Sequence, residues 1–219
     1  MSVPSSLDFV ARGHAPPLRE DEIHLWHTQS ADAAGARAQA HRLLRELLTA
    51  YTGSAAIDIG QGEHGKPFAH AAGGIEFNLS HAGADVVIAF ARGQTLGVDI
   101  ERLPRRAVSH EVAQRFFCAS EADALAALPE ADRQAAFLRL WTHKEAVLKA
   151  IGGGLSFGLA RLEFSLGEDG GVHGLRDIAG EAGAAADWRL HPFAIGDHLV
   201  GCLAWHGAPR RLRAFAWAR

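Results

Sequence analysis

Cysteine is almost absent from this chain: Cys118 and Cys202 are the only two in 219 residues. They are too few and too far apart for a disulfide framework or a cysteine zinc site. Lysine is nearly as scarce. Of 22 basic residues only Lys66, Lys144 and Lys149 are lysine, and Asn78 is the single asparagine. A basic excess is missing too, since the formal net charge is −3, so the footprint of a general nucleic-acid binder is not there. No apolar run approaches the roughly 18 residues of a membrane span. Residues 1–21 carry prolines and mixed charges instead of the apolar core of a secretory signal, so a cytoplasmic chain off the membrane is expected. The 13 histidines form neither HExxH nor a His-rich tract. No P-loop or Cys/His nucleophile arrangement is evident, so a nucleophile would have to come from the substrate.

What remains is the composition of a globular protein, 48% hydrophobic and 21% charged, long enough for one large or two small domains. Helical spacing predicts a helix over 33–51, capped by Ser30 or Asp32 and stopped at Gly53, after a strand over 23–28. A further strand is read at 56–59. The period then becomes two, predicting strands over 75–79, 85–91 and 95–101, with connections short enough to make them antiparallel neighbours. Helices return over 109–117, then from a capping box of Ser120 and Asp123, and over 130–151 after Pro129. Strands are predicted over 161–166, 188–193, 198–205 and 212–217. Helix followed by antiparallel strands thus occurs twice, and two α+β halves, 1–104 and 105–219, are expected.

The long helix ends in Trp141-Thr142-His143-Lys144-Glu145-Ala146-Val147-Leu148-Lys149. Glu145 and Lys149, four apart, share a face. One reading is a surface ion pair contributing a few tenths of a kcal/mol. The other follows from composition: a chain that otherwise uses arginine places two of its three lysines here, and Lys and Arg are not interchangeable as phosphate ligands. In Gly97-Val98-Asp99-Ile100-Glu101, strand alternation puts Asp99 and Glu101 on one face, where they repel unless a cation lies near. They are either an ordinary charged strand end or, with Glu145, a hard-oxygen site for Mg²⁺. Lys149, Lys66, Ser80 and His81 are then candidate phosphate-side donors, and phosphoryl or pyrophosphate chemistry follows. A Mg²⁺-dependent phosphohydrolase fits the same residues.

Five motifs in order, Gly65-Lys66-Pro67, Phe77-Asn78-Leu79-Ser80-His81, Gly97-Val98-Asp99-Ile100-Glu101, Arg115-Phe116-Phe117 with Glu121, and Trp141-Thr142-His143-Lys144-Glu145 through Lys149, resemble those of the Sfp-type 4′-phosphopantetheinyl transferases. The resemblance runs from about His41 to Ser156. It implies a monomer of two similar α+β halves related by pseudo-twofold symmetry, with coenzyme A in the cleft between them. The implied reaction moves the 4′-phosphopantetheine arm of coenzyme A to a serine of an apo acyl or peptidyl carrier protein of fatty-acid, polyketide or nonribosomal-peptide assembly, releasing adenosine 3′,5′-bisphosphate. By resemblance Asp99, Glu101 and Glu145 bind Mg²⁺, with Mn²⁺ an alternative. Lys149 contacts the phosphates and Asp99 borders the cofactor; Lys66 with Pro67, Ser80 and His81 meet the 3′-phosphate and pyrophosphate; Arg42 meets the nucleotide. The serine's base is Glu145, a water bridging to it, or Glu101. One departure is that residues 28–36 hold no Lys or Arg, which leaves Arg37, Arg42 or Arg45 for the 3′-phosphate. Phe116 and Phe117 resemble carrier-helix contacts and equally read as core aromatics. The alternative in another class is a catalytically degenerate coenzyme A or carrier-protein binding module.

Overall fold

A period-two pattern buried on both sides organises the interior. In a computed structural model, which describes residues 6–70, 72–103, 109–180 and 182–218, two sheets lie face to face with helices on their outer sides. The first sheet has the order β1 (Val10–Arg12), β12 (Arg211–Trp217), β2 (Glu22–Gln29), β6 (Asp85–Arg92), β5 (Ile75–Ala82). The second has the order β10 (Trp188–Ile195), β11 (Leu199–His206), β7 (Leu96–Arg102). Two small hairpins complete the strands: β3 (Ile59–Gln61) with β4 (Pro67–Ala69), and β8 (Leu162–Leu166) with β9 (Val172–Ile178).

Alternation divides each strand between two cores. On β2, Ile23 and Leu25 face the second sheet and pack with Val98, Ile100, Phe193 and Leu203, whereas Trp26 faces outward to the leucines of α1 (Ala36–Thr52). On β7, Val98 and Ile100 face inward, which turns Gly97, Asp99 and Glu101 toward α4 (Glu130–Ile151). The third core joins α4 to α2 (Ser109–Phe116), α3 (Ala119–Ala127) and the β8–β9 hairpin. Almost the whole circumference of α4 is buried, so this central helix lacks the solvated face of a surface helix.

The fold is α+β, and several local expectations need correction. The strand after β6 does not stay beside it: β7 crosses to pair antiparallel with β11. Its link to β5 is made by side chains, Asn78 Oδ1 accepting from Val98 N at 2.9 Å and Ser80 Oγ from Ile100 N at 3.4 Å. The sole asparagine therefore stitches the sheet edges together. In the other direction β12 returns to pair parallel with β2. The cap of α1 is Gly35, whose N–H donates to Asp32 Oδ1, and α3 starts at Cys118, whose N–H donates to Glu121. Ser120 instead bonds Glu163. Strands β1 and β9 carry no period-two signal strong enough to be predicted. The expected boundary at Pro104 lies outside the described residues.

Candidate active site

Helix α4 packs across β7 and β11, and one glycine makes its close approach to β7 possible. A Cβ at Gly97 would stand 2.1 Å from Ala146 O and 2.4 Å from Ala150 N, so only a residue without one brings the two backbones into contact. The contact sets Asp99, two residues along the strand, opposite Glu145 and Lys149. At the end of the helix Gly152 takes the left-handed conformation, φ 80°, and its N–H caps Leu148 O. Beneath that turn Lys66 Nζ donates to Ala150 O at 3.1 Å and Leu96 O at 3.3 Å, clipping the end of α4 to the start of β7.

The surface ion pair between Glu145 and Lys149 does not form. Lys149 Nζ donates to Asp99 Oδ1 at 2.7 Å and Val98 O at 3.1 Å, pulled inward because Asp99 is buried and needs a counter-charge. Ser80 Oγ also donates to Asp99 Oδ1, at 2.9 Å. Two acceptors are left over: Asp99 Oδ2 and Glu145 Oε1 are buried with no hydrogen-bond partner among the described residues. Burial, then the charges of Asp99 and Glu101, outweigh Lys149 and push the Glu145 carboxyl up to about 7. A buried carboxylate pair with orphaned oxygens fits a divalent cation, whose charge would offset both the repulsion and the desolvation. No group of three His, Cys, Asp or Glu side chains already converges in ligating geometry among the described residues. The fit therefore rests on the two orphaned oxygens and on the charge of Glu101 at Glu145.

Beside this charged knot opens a cleft of about 700 Å³. Of the residues read from the sequence, Arg37, Arg45, Lys66, Pro67, His81, Glu145 and Lys149 line it. Asp99 and Ser80 are buried and bonded to each other, so they support the cleft through Lys149 instead of lining it. Arg42 is exposed and bonded to Gln39, outside the lining. Arg37, His41 and Arg45, four apart, share the face that lines the cleft, and Arg42 is turned about 100° from His41. His41 and His64 are lining residues that sequence reasoning missed. For His41 the signal was available, in the four-residue spacing of Arg37, His41 and Arg45.

Lys144, beside Glu145 in sequence, points away from the cleft. It is fully buried, 2.8 Å from Glu121 Oε2, donates to the carbonyls of Leu159 and Leu162, and lies over the rings of Phe117 and Phe164. Phe117 stacks on Phe137 in the core, whereas Phe116 is 45% exposed with the Arg115 guanidinium over its ring. The two adjacent phenylalanines thus divide between core and surface.

A family model described as the 4′-phosphopantetheinyl transferase superfamily matches residues 95–202, the stretch from β7 to β11. The chain is 37% identical over 107 residues to 4′-phosphopantetheinyl transferase psf-1 of Bacillus pumilus, covering 49% of this chain and 45% of that protein. It is 33% identical over 174 residues to 4′-phosphopantetheinyl transferase HetI of Nostoc sp., covering 64% of this chain and 72% of that one. With 4′-phosphopantetheinyl transferase Sfp of Bacillus subtilis it shares 37% over 110 residues, 50% of this chain and 48% of the relative. The match thus spans about half the length of psf-1 and Sfp and most of HetI.

Proposed function

Because this chain belongs to the Sfp-type 4′-phosphopantetheinyl transferases, we propose that it transfers the 4′-phosphopantetheine arm of coenzyme A to a serine of an apo acyl or peptidyl carrier protein, releasing adenosine 3′,5′-bisphosphate. The observation that carries the reading is the meeting of two partnerless carboxylate oxygens, Asp99 Oδ2 and Glu145 Oε1, with a cleft walled by Arg37, His41, Arg45, Lys66 and Lys149. Coenzyme A brings a 3′-phosphate and a pyrophosphate, anions that such cations complement. The cleft also has apolar walls, Leu44, Ile59 and Leu79, suited to a base.

In this reading Arg37, His41 and Arg45 take the 3′-phosphate end, and Lys66, Pro67 and His81 flank the pyrophosphate. Lys66 spends two hydrogen bonds on carbonyls and keeps a third N–H for a ligand. Asp99, Glu101 and Glu145 would hold Mg²⁺ or Mn²⁺, which supplies neutralisation of the charge that builds on the leaving bisphosphate. The carrier serine Oγ attacks the phosphorus bearing the pantetheine arm, and the bond from that phosphorus to the bisphosphate oxygen breaks. The serine proton passes to Glu145, to a water bridging to it, or to Glu101. Lys149 places its charge beside the leaving group.

The proposal takes 1–104 and 105–219 as the two walls of the cleft, α1 and the β3–β4 hairpin on one side and α4 on the other. It takes the protein to act as a cytoplasmic monomer. No helix among the described residues is long and apolar enough to cross a membrane.

The deciding measurement is the intact mass of an apo carrier protein after incubation with this protein, coenzyme A and Mg²⁺, with and without chelator. A chelator-sensitive gain of one phosphopantetheine arm is the expected result. No gain on several carriers, from folded protein that still binds coenzyme A, replaces the transferase reading with that of a degenerate binding module.

A further inference from the structure

At one end of the sandwich the apolar core between the two sheets gives way to a polar cluster. The inward face of β2 runs Ile23, Leu25, His27, Gln29; that of β6 runs Ala91, Ala89, Val87, Asp85; that of β7 runs Val98, Ile100, Arg102. Asp85 is fully buried where those faces end. Its Oδ1 accepts from His27 Nε2 at 3.0 Å and Gln29 Nε2 at 2.8 Å, and its Oδ2 from Arg102 Nη1 at 3.1 Å. His198, in the turn between β10 and β11, brings its Nε2 to 3.7 Å from Oδ2. One carboxylate thus gathers side chains from both sheets. Gly83, in the turn between β5 and β6, makes room for the bridge: with φ 61°, its Cβ would stand 2.8 Å from Arg102 Cδ and 3.0 Å from Arg102 Nη1.

Buried ion pairs often contribute no more stability than well-packed apolar residues of the same volume, and register is their best-attested use. Strand β7 has need of it. Among the described strands its main chain pairs with β11 alone. Toward β5 it is held by side chains, Asn78 at Val98 and Ser80 at Ile100, and the bond from Arg102 to Asp85 adds a third tie two residues further on. Between the second tie and the third stands Glu101, the penultimate residue of β7, at a strand end that would otherwise open more readily than its centre. On the other side Leu103 N donates to His198 O at 2.7 Å, so the turn that touches Asp85 grips the same strand end.

We propose that Asp85 is a positioning residue for the metal-binding carboxylates: through Arg102 it holds the end of β7 and so keeps Glu101 where its charge meets Glu145. This rests on the reading of Asp99, Glu101 and Glu145 as the metal site. Asp85 lies outside the cleft lining and acts only through Arg102.

Mn²⁺ binding to the full chain, followed by electron paramagnetic resonance at pH 8 and well below the Tm, tests it without a transfer assay. Arg102→Met removes the tie at a half-exposed side chain and is expected to weaken Mn²⁺ binding roughly tenfold, the usual loss when a group that orients a metal ligand is removed. Asp85→Asn weakens it by a similar factor and the double variant no further, since both break one link. Arg102→Lys, which keeps a cation for Oδ2, recovers most of the affinity. His27→Gln disturbs the cluster on the Oδ1 side only; it lowers the urea midpoint and leaves Mn²⁺ affinity at the parent's level, which separates positioning from stability. Parent affinity in Arg102→Met overturns the proposal, and so does a loss in His27→Gln as large as that in Arg102→Met. Either result, beside a Glu101→Gln variant that binds Mn²⁺ weakly, leaves the metal site standing and removes only the role of Asp85. Unchanged affinity in Glu101→Gln instead takes Glu101 out of the metal site and this proposal with it. Should Asp85→Asn fail to fold, the two Arg102 variants decide.

Discussion

Lys149 of α4 donates to Asp99 of β7 at 2.7 Å, a bond that ties helix to strand and settles which oxygens of the site remain free. With Asp99 Oδ1 committed to Lys149 and Ser80, Oδ2 is left without a partner beside Glu145. The lysine thus has two duties, counter-charge to a buried carboxylate and cation at the cleft wall. Lys149→Met is expected to lower stability by roughly 2 kcal/mol, the loss of a charged hydrogen bond in a partly buried setting, and to slow transfer by about two orders of magnitude. Lys149→Arg restores the charge without the rate, because a planar fork does not reproduce a compact ammonium between Asp99 Oδ1 and Val98 O. Urea denaturation and single-turnover transfer separate the two effects; full activity in Lys149→Arg would remove the geometric argument.

Gly97 fixes the distance between the strand and the helix. A methyl there would sit 2.1 Å from Ala146 O, against backbone that cannot turn aside as a side chain would. Gly97→Ala is expected to cost about 3 kcal/mol, at the upper end for overpacking a tight core, and to lower transfer per folded molecule by shifting Glu145 away from Asp99. Equilibrium denaturation with activity measured well below the Tm checks both. A variant as stable as the parent shows that α4 can slide.

Much of this site was legible from the sequence because it depends on two periodicities. Alternation on β7 put Asp99 and Glu101 on one face, and the four-residue period put Glu145 and Lys149 on another; the structure turns those faces toward each other. What could not be read was partner choice, since a side chain bonds to whatever tertiary packing brings nearest. Lysine usage shows this well. The rarity of lysine implied a need for compact ammonium groups, and all three do bind backbone carbonyls in the interior. Lys144, however, serves the core, closing a fully buried ion pair with Glu121. The strand order failed for a similar reason: a short connection after β6 implied a hairpin, but β7 reaches β5 through Asn78 and Ser80 and pairs elsewhere.

Acid stability follows from His143. The ring is buried, its Nδ1 bonded to Arg139 O, and burial first, opposed by that bond, pulls its pKa from 6.5 down to about 4. The unfolded chain therefore binds the extra proton first as pH falls. Stability from this group is complete above pH 6.5 and declines as pH drops toward 4. The loss amounts to roughly 3 kcal/mol at the lower limit. Urea midpoints between pH 7.5 and 4.5 should show that fall, and His143→Gln, which keeps a donor without a titrating ring, should fall less over the same window. Parallel pH curves for the two proteins would place the titration elsewhere.

The raised carboxyl of Glu145 moves the pH dependence of metal binding up to near neutrality. With its pKa near 7, set by burial and then by Asp99, most molecules carry a proton at Glu145 below that value. A cation must displace this proton, so apparent affinity should rise about tenfold per pH unit up to about 7 and flatten above it. The same shift means that the metal-free fold loses stability as pH rises from 4.5 through about 7, because the folded state is the one that keeps the proton. Added metal should return that stability most strongly at the alkaline end. Mn²⁺ binding followed by electron paramagnetic resonance from pH 5.5 to 8, beside Glu145→Gln, tests the link without any transfer assay. The variant should bind weakly with little pH dependence. Equal Mn²⁺ affinity at pH 6 and pH 8 in the parent protein would exclude Glu145 as a ligand and leave Asp99 Oδ2 in need of another partner.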